Sequence, residues 1–297
     1  MPQVRGSAAG EHRQRLVAVF VLTLAIFALE LVGGLASHSL ALLADAGHMF
    51  TDVAGTGLAL IAISFASRPA DMDRSFGYLR LEILAAVINA VLLFGIAAFV
   101  IFEATQRLAS PPEVASGLML AISLIGLAAN GVSLFLLRHG QKGSLNMRGA
   151  YLEVMGDLLG SGAVIVAALI ITFTGWLQAD AVASILIGLL ILPRTYRLLR
   201  EAVDVLLEAT PKGIDLDEVR THILRAGGVE DVHDLHAWTI TSGMNVVSAH
   251  VTLEPGADPP VVLDELCRCL SGDFDIEHST FQLETSDRRR LEEVGHA

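Results

Sequence analysis

After a polar lead the chain runs through a series of long apolar stretches. Residues 16–36 hold one ionisable group, Glu30, while 83–102, 114–137 and 158–179 hold none. Each reaches the roughly 20 residues that a bilayer-spanning helix needs, so four spans are predicted. Leu40–Ala66 is apolar except at Asp45, His48 and Asp52, and it spans only if those groups are compensated. Residues 181–193 are too few alone and must borrow from 176–180 or 194–199, which completes six helices. Beyond Thr210-Pro211-Lys212-Gly213 the pattern takes on the mixed polarity of a water-exposed domain. It predicts helix over 215–226, strands over 230–241 and 245–254, helix over 260–271 and strand over 275–284. That order builds an α+β layer. The expected organisation is an N-terminal cytosolic segment (1–15), a six-helix transmembrane domain (16–207), a cytosolic αββαβ domain (208–287) for metal binding and dimerisation, and a tail (288–297).

Composition agrees with the pattern. Of 297 residues 53% are hydrophobic and only 18% charged, which is a membrane protein's balance. The formal charge of −12 excludes nucleic acid as the main partner, because such binders neutralise phosphates with Lys and Arg. Residues 1–210 carry 13 Lys and Arg against 15 Asp and Glu, net −2, whereas 211–297 carry 7 against 17, net −10. Two different solvents therefore shape the two parts. Cys267 and Cys269 lie one residue apart and cannot staple a fold to each other, which excludes a disulfide-built secreted domain and suits a reducing compartment.

Lys and Arg also set the topology. With the N-terminus inside, the inner segments hold Arg5, Arg13 and Arg15, then Arg68, Arg74 and Arg80, then Arg138, Lys142 and Arg148, then Arg194, Arg197 and Arg200, whereas the outer loops hold Arg107 alone. The expectation is a multi-pass protein of the cytoplasmic membrane with both termini cytoplasmic. The first run is too long for a signal peptide, lacks a small-residue cleavage site, and is expected to stay.

Ionisable residues inside spans are costly and default to functional hypotheses. Asp45, His48 and Asp52 stand at i, i+3 and i+7, one stripe of a helix, and Glu153 and Asp157 stand at i, i+4 at the start of the fifth run. Two helices thus each offer a pair of metal-competent ligands, and four side chains from facing helices suffice for a tetrahedral divalent site. The competing reading, in which these groups snorkel or pair with arginines, explains one pair well and two pairs of equal spacing poorly. Glu30, Glu82 and Glu103 are read instead as span-end groups that snorkel or pair with Arg80 or Arg107. Asn89 and Asn130 are read as interhelical hydrogen-bonding groups, and Gly55, Gly57, Gly156, Gly160 and Gly162 as places where the ligand helices approach closely.

Four segments carry a resemblance. Ala44-Asp45-Ala46-Gly47-His48-Met49-Phe50-Thr51-Asp52, Phe76-Gly77-Tyr78-Leu79-Arg80-Leu81-Glu82-Ile83-Leu84, Asn146-Met147-Arg148-Gly149-Ala150-Tyr151 and Val232-His233-Asp234-Leu235-His236-Ala237-Trp238 are similar in content, order and spacing to segments of the cation diffusion facilitator family, over about residues 15 to 285. The resemblance implies a homodimer that exports Zn²⁺ or a similar divalent cation from the cytoplasm in exchange for protons, with a tail resembling a small metallochaperone. It puts the transport ligands on His48, Asp52, Glu153 and Asp157. Zinc-type members usually carry His where this chain has Glu153, and a third carboxylate hardens the site and loosens its preference for Zn²⁺ over Mn²⁺, Fe²⁺ or Co²⁺. Where some relatives hold an extra histidine site after the second span, Arg74 and Tyr78 stand here, and Asp71 and Asp73 read as a solvated loop. The histidine-rich loop of many relatives is missing, since 138–148 holds only His139.

In the tail, Val247, Ala249, Val251 and Leu253 share one strand face and leave His250 on the other, while Ile276, His278, Thr280, Gln282 and Glu284 share a face of the last strand. His233, His250, His278 and Glu284 are the candidate ligands of a cytosolic metal site, which the resemblance supports. His236 alternates with Val232, Trp238 and Ile240, which leaves a core role and direct ligation both open. Cys267 aligns with Leu263, Leu266 and Leu270 toward a core, whereas Cys269 points elsewhere, and i, i+2 cysteines on a helix chelate poorly.

A proton-coupled exporter is thus the leading expectation. Zn²⁺ or another divalent cation would be its substrate and the ligand of its tail, lipid and protons its partners, and no prosthetic group is required. A passive divalent channel would want rings of ligands along a pore, and a membrane-anchored sensor would need no intramembrane ligands. An enzyme is not expected, because no nucleophile–base pairing or phosphate-cradling glycine loop is present.

Overall fold

A computed structural model of the protein describes residues 8–66, 71–138, 145–241, 243–274, 276 and 278–289. Arg5, Arg68, His139, Lys142 and residues 290–297 lie outside the described residues, as do the side chains of Arg13, Arg15 and 145–150. The chain forms two compact units, Met1–Leu60 with Ala86–Leu199, and Ile61–Ala85 with Arg200–Ala297.

The described residues open with six long helices: α1 (Ala8–Ser37), α2 (Leu40–Ala66), α3 (Leu81–Ala109), α4 (Ser116–Leu137), α5 (Leu145–Thr174) and α6 (Gln178–Leu206). Among the described residues, Val19–Ser37 of α1, α3, α4, Tyr151–Thr174 of α5 and α6 are long and apolar enough to cross a membrane. The remaining helix, α2, has 27 residues and carries Asp45, His48 and Asp52. The pattern inverts that of a water-soluble bundle: large side chains such as Val32, Phe99 and Phe173 point outward, 66%, 64% and 82% exposed, while alanines such as Ala41, Ala44, Ala104 and Ala168 fill the interior. Lipid tails solvate large apolar groups as well as a core does, so small residues are left to let helices approach.

Two helix limits differ from the sequence reading. α5 begins at Leu145, before its apolar run, so Glu153 and Asp157 sit inside the helix rather than at its start. α6 borrows from both flanks rather than one, running through Pro193 to a length of 29 residues. A spanning helix tolerates an internal proline because neighbouring groups satisfy the freed carbonyl.

Asp180, 2% exposed at the start of α6, fixes where α2 begins. Its Oδ2 accepts from the Leu40 N–H at 2.8 Å, and its Oδ1 accepts from Ser39 Oγ at 2.6 Å and the Ala41 N–H at 3.2 Å. The Ser39 hydroxyl in turn accepts from the Leu42 N–H at 3.1 Å. Orphan amides at a helix start need such acceptors, most of all where water is scarce.

The second unit contains α7 (Leu216–Leu224), β1 (Val229–Thr241), β2 (Met244–Leu253), α8 (Pro259–Asp273) and β3 (His278–Glu284). Its sheet has the order β1-β2-β3, with β1 antiparallel and β3 parallel to β2. A parallel partner requires a crossover, which α8 supplies. Val219 and Ile223 of α7, Val262, Leu266 and Leu270 of α8, and Val247, Ala249 and Val251 of β2 form its core, leaving the opposite sheet face to polar side chains. The connection before α3 belongs to the same unit. Asp71 there accepts from the amides of Asp73 and Arg74 at 3.0 and 2.8 Å, a loop-building role. Arg80 reaches Glu208 at 2.7 Å, and Thr241 Oγ1 donates to Glu82 Oε2 at 2.5 Å.

Strand β1 carries a bulge between His233 and His236, with Asp234 at φ 51°. Before it Val232 points inward and after it Ala237 does, so the inward positions pass from even to odd numbers. His236 therefore leaves the core line expected from simple alternation. It lies in the open, 64% exposed, with Nε2 3.0 Å from Asp234 Oδ1.

Candidate metal centre

Three of the four intramembrane candidates meet. His48 Nε2 lies 3.7 Å from Asp52 Oδ2, one turn along α2, and 3.6 Å from Asp157 Oδ1 on α5. In a tetrahedral zinc site, bonds of about 2.0–2.2 Å separate N and O ligands by about 3.4 Å, so one cation fits between these atoms with small adjustments. His48 is 8% and Asp157 2% exposed, and neither His48 Nδ1 nor Asp157 Oδ1 has a hydrogen-bond partner among the described residues. Buried polar atoms without partners are expensive, and a cation is one way to satisfy them.

Glu153 stands at the edge of this group rather than in it. Its Oε1 accepts from Arg194 Nη2 of α6 at 2.8 Å, and its carboxyl group also lies beside Asp52. Arg194 reads from sequence as an inner-loop charge. It instead reaches back to the cluster because α6 continues through Pro193.

Asp45, one turn before His48, is 2% exposed and accepts from Ser161 Oγ of α5 at 3.3 Å. A Cβ at Gly160 would stand 2.6 Å from Asp45 Oδ1, so only glycine admits this carboxylate against α5. Gly55 is likewise close to Asn89 of α3, whereas Gly57, Gly156 and Gly162 have open space beside them. Asp45, His48, Gly156, Gly160 and Arg194, with Ile187, Leu190 and Ile191, line a cavity of about 90 Å³. That is room for several waters beside the ligands.

Glu30 contradicts its reading as a snorkelling span-end residue. It is 0% exposed, with neither carboxyl oxygen hydrogen-bonded among the described residues, and its Oε1 lies where a Cβ on Gly126 of α4 would come within 2.7 Å. The packing of α1 on α4 encloses it, which no one-dimensional pattern reports. Glu103 does pair with Arg107, at 3.0 Å. Asn89 Oδ1 and Asn130 Nδ2 lack hydrogen-bond partners among the described residues.

In the second unit three of the four tail candidates come together on the polar sheet face. His233 and His250 are register partners on β1 and β2, their rings 5.2 Å apart at 76°. Glu284, 4% exposed, places Oε1 3.0 Å from His250 Nδ1 and Oε2 3.7 Å from His233 Nε2. Gln282 Nε2 donates to Glu284 Oε1 at 2.5 Å. Asp234 Oδ2 stands 4.0 Å from His250 Nε2. The hydrogen bond with His236 holds the Asp234 carboxyl below the usual carboxylate range, and the charges of His236, His250 and His233 act the same way.

His278 is not part of this group in the chain. It opens β3 opposite Val246, whereas Glu284 closes β3 opposite Thr252. Six residues of strand separate them by about 20 Å. A shared face is thus not a shared site, and the His278 ring packs edge-on against Phe76 at 5.7 Å.

Residues 16–207 match the family model described as the cation efflux transmembrane domain, and 211–286 the cytoplasmic domain of cation efflux proteins. The metal cation efflux system protein CzcD of Cupriavidus metallidurans is 46% identical over 288 residues, 97% of this chain and 91% of that one. The cadmium, cobalt and zinc/H⁺–K⁺ antiporter of Bacillus velezensis is 41% identical over 94% of this chain and 90% of its own. The zinc transporter ZitB of Escherichia coli is 43% identical over 92% and 88%. A solved structure of the metal-bound C-terminal domain of the Cupriavidus CzcD transporter is 43% identical over 24% of this chain and 99% of its own, with a TM-score of 0.23.

Proposed function

The chain belongs to the cation efflux (cation diffusion facilitator) family of membrane transporters, and on that premise we propose that it exports Zn²⁺, or a closely similar divalent cation, from the cytoplasm in exchange for protons. The observation that carries this reading is the cluster of buried His48 and Asp157 with half-buried Asp52, drawn from two helices far apart in sequence. Two carboxylates and one imidazole match the charge and the donor preferences of a borderline divalent cation. Such ligands bind metal only when deprotonated, so metal and protons compete for the same atoms and exchange is built into the site. Rocking of the helices around a site near the bilayer midplane would expose it to each side in turn.

Glu153 completes the set in this reading. Its carboxylate reaches the cation by exchanging Arg194 for it, so Arg194 keeps Glu153 in place and competes with the metal for it. The third carboxylate widens the range of acceptable ions toward Mn²⁺, Fe²⁺ and Co²⁺. The names of the relatives, which include zinc, cadmium and cobalt, favour Zn²⁺ and Co²⁺ within that range. The inner-segment arginines favour cytoplasmic termini. The site of His233, His250 and Glu284 would then meet cytoplasmic metal in a homodimer.

The test is metal flux in proteoliposomes with an imposed pH gradient. Zn²⁺ transport should follow the gradient and disappear in Asp52→Ala and Asp157→Ala while insertion is unchanged. Flux indifferent to the gradient would remove proton exchange from the reading, and near-normal flux in both variants would remove the site.

A further inference from the structure

We infer that the contact between α7 and α8 in the second unit forms a further cation site, a thiolate-containing one made by His222, Cys269 and Asp273, which takes a borderline or soft divalent cation such as Zn²⁺, Cd²⁺ or Co²⁺. His222 Nε2 lies 3.1 Å from Asp273 Oδ2, and Cys269 Sγ lies 4.0 Å from the same oxygen. All three ligand atoms fall within 4.8 Å of one another. Bond lengths of about 2.3 Å to sulfur and 2.1 Å to nitrogen or oxygen require separations of about 3.4–3.6 Å, so side-chain adjustments of up to about an ångström bring the donors onto a cation.

The helices supply the geometry. Cys269 and Asp273 stand at i, i+4 on α8 and share one face. Cys267, two residues earlier, instead accepts a hydrogen bond from Ser279 Oγ of β3 at 3.6 Å and is turned away. His222 lies in the last turn of α7, where the helix dipole favours positive charge, and the Phe274 ring meets it edge-on at 5.1 Å and 88°, which limits its rotation. The three groups are partly open to solvent, so a cation and a completing water can enter.

The charge balance is also suitable. Burial, and then the negative charges of Asp273 and Glu265, push the Cys269 thiol up. The field that disfavours a thiolate alone is the field that attracts a dication. On binding, the S–H proton passes to water, a metal–sulfur bond forms, and thiolate, carboxylate and dication sum to zero charge. Sulfur separates this site from the other two, whose donors are nitrogen and oxygen alone, and it biases the site toward softer ions. The site shares no residue with the transport cluster, so either can fail without the other.

Cobalt reads out sulfur directly, because thiolate-to-Co²⁺ charge transfer absorbs in the near ultraviolet and imidazole and carboxylate ligands give no such band. The full-length protein, reduced and in detergent, is titrated with Co²⁺. The band is expected in the parent and in Cys267→Ser, is expected to vanish in Cys269→Ser, and should require roughly tenfold or more Co²⁺ in His222→Gln. As a check without any substitution, Zn²⁺ should slow alkylation of Cys269 in the unmodified protein, with Cys267 as the internal reference in the same mass spectrum. A parent without the band, a band undiminished in Cys269→Ser, or alkylation of Cys269 indifferent to Zn²⁺ would overturn the site.

Discussion

Replacing Arg194 with glutamine tests whether Glu153 is held in reserve for the metal. The Arg194–Glu153 pair meets at 2.8 Å, and Arg194 lines the cavity that has room for several waters, so the pair is weighed as a water-reached ion pair worth up to about 1 kcal/mol. If binding must break this pair, its removal should tighten Zn²⁺ binding by up to about fivefold. Loss of a positive charge from the cavity wall acts in the same direction on a dication. Tighter binding should slow release, so KM and kcat both fall. The assay is equilibrium competition against a fluorescent chelator in detergent, in a background of His233→Ala, His250→Ala and Cys269→Ser, so that only the membrane site reports. A double-mutant cycle with Glu153→Gln isolates the coupling: the gain from Arg194→Gln should shrink when Glu153 is already neutral, to the part that loss of the positive charge alone supplies. Unchanged or weaker binding in a folded Arg194→Gln protein, or a gain undiminished without Glu153, would show that the pair is an anchor for α6 and no competitor of the metal.

Asp180→Ala removes the acceptor for two α2 amides and the Ser39 hydroxyl. The loss should cost about 2–3 kcal/mol, seen as a lower melting temperature in detergent, and Asp180→Asn should recover part of it. In an Asp157→Ala/Cys269→Ser background, Zn²⁺ at a hundredfold its Kd should stabilise the protein by about 2.7 kcal/mol through the site of His233, His250 and Glu284. That gain should be lost in His250→Ala and kept in His278→Ala, and loss in both would return His278 to the site. Asp234 should titrate below the reference of about 3.9 in an NMR experiment and move up toward it in His236→Ala. Because its pKa is depressed in the folded protein, its contribution is present above about pH 4 and disappears as pH falls through the lowered value. An Asp234 midpoint at the reference value would refute the pairing with His236.

Much of this protein is legible in one dimension, because a bilayer and an alternating strand each impose a period on the sequence. Long apolar runs report helices whose backbone must satisfy itself in lipid, and the order helix, strand, strand, helix, strand follows from polarity alone. The ligand stripe of α2 is likewise visible, since His48 and Asp52 are one turn apart on a single helix. What the sequence leaves open is every relation between elements. That Asp157 meets His48 across two helices, that α6 carries Arg194 to Glu153, that Asp180 caps α2 from another helix and that Glu30 is enclosed under Gly126 are decided by packing, where residues far apart in the chain come to within a few ångströms. The tail makes the same point in both directions. Alternation correctly set His250 and Glu284 on one face, but it also admitted His278, because a face extends for about 20 Å and a coordination sphere for about 4 Å. The bulge at Asp234 is the remaining reason: one extra residue reverses the pattern along β1 and moves His236 out of the core, and a local backbone turn of that kind leaves no periodic signal to read.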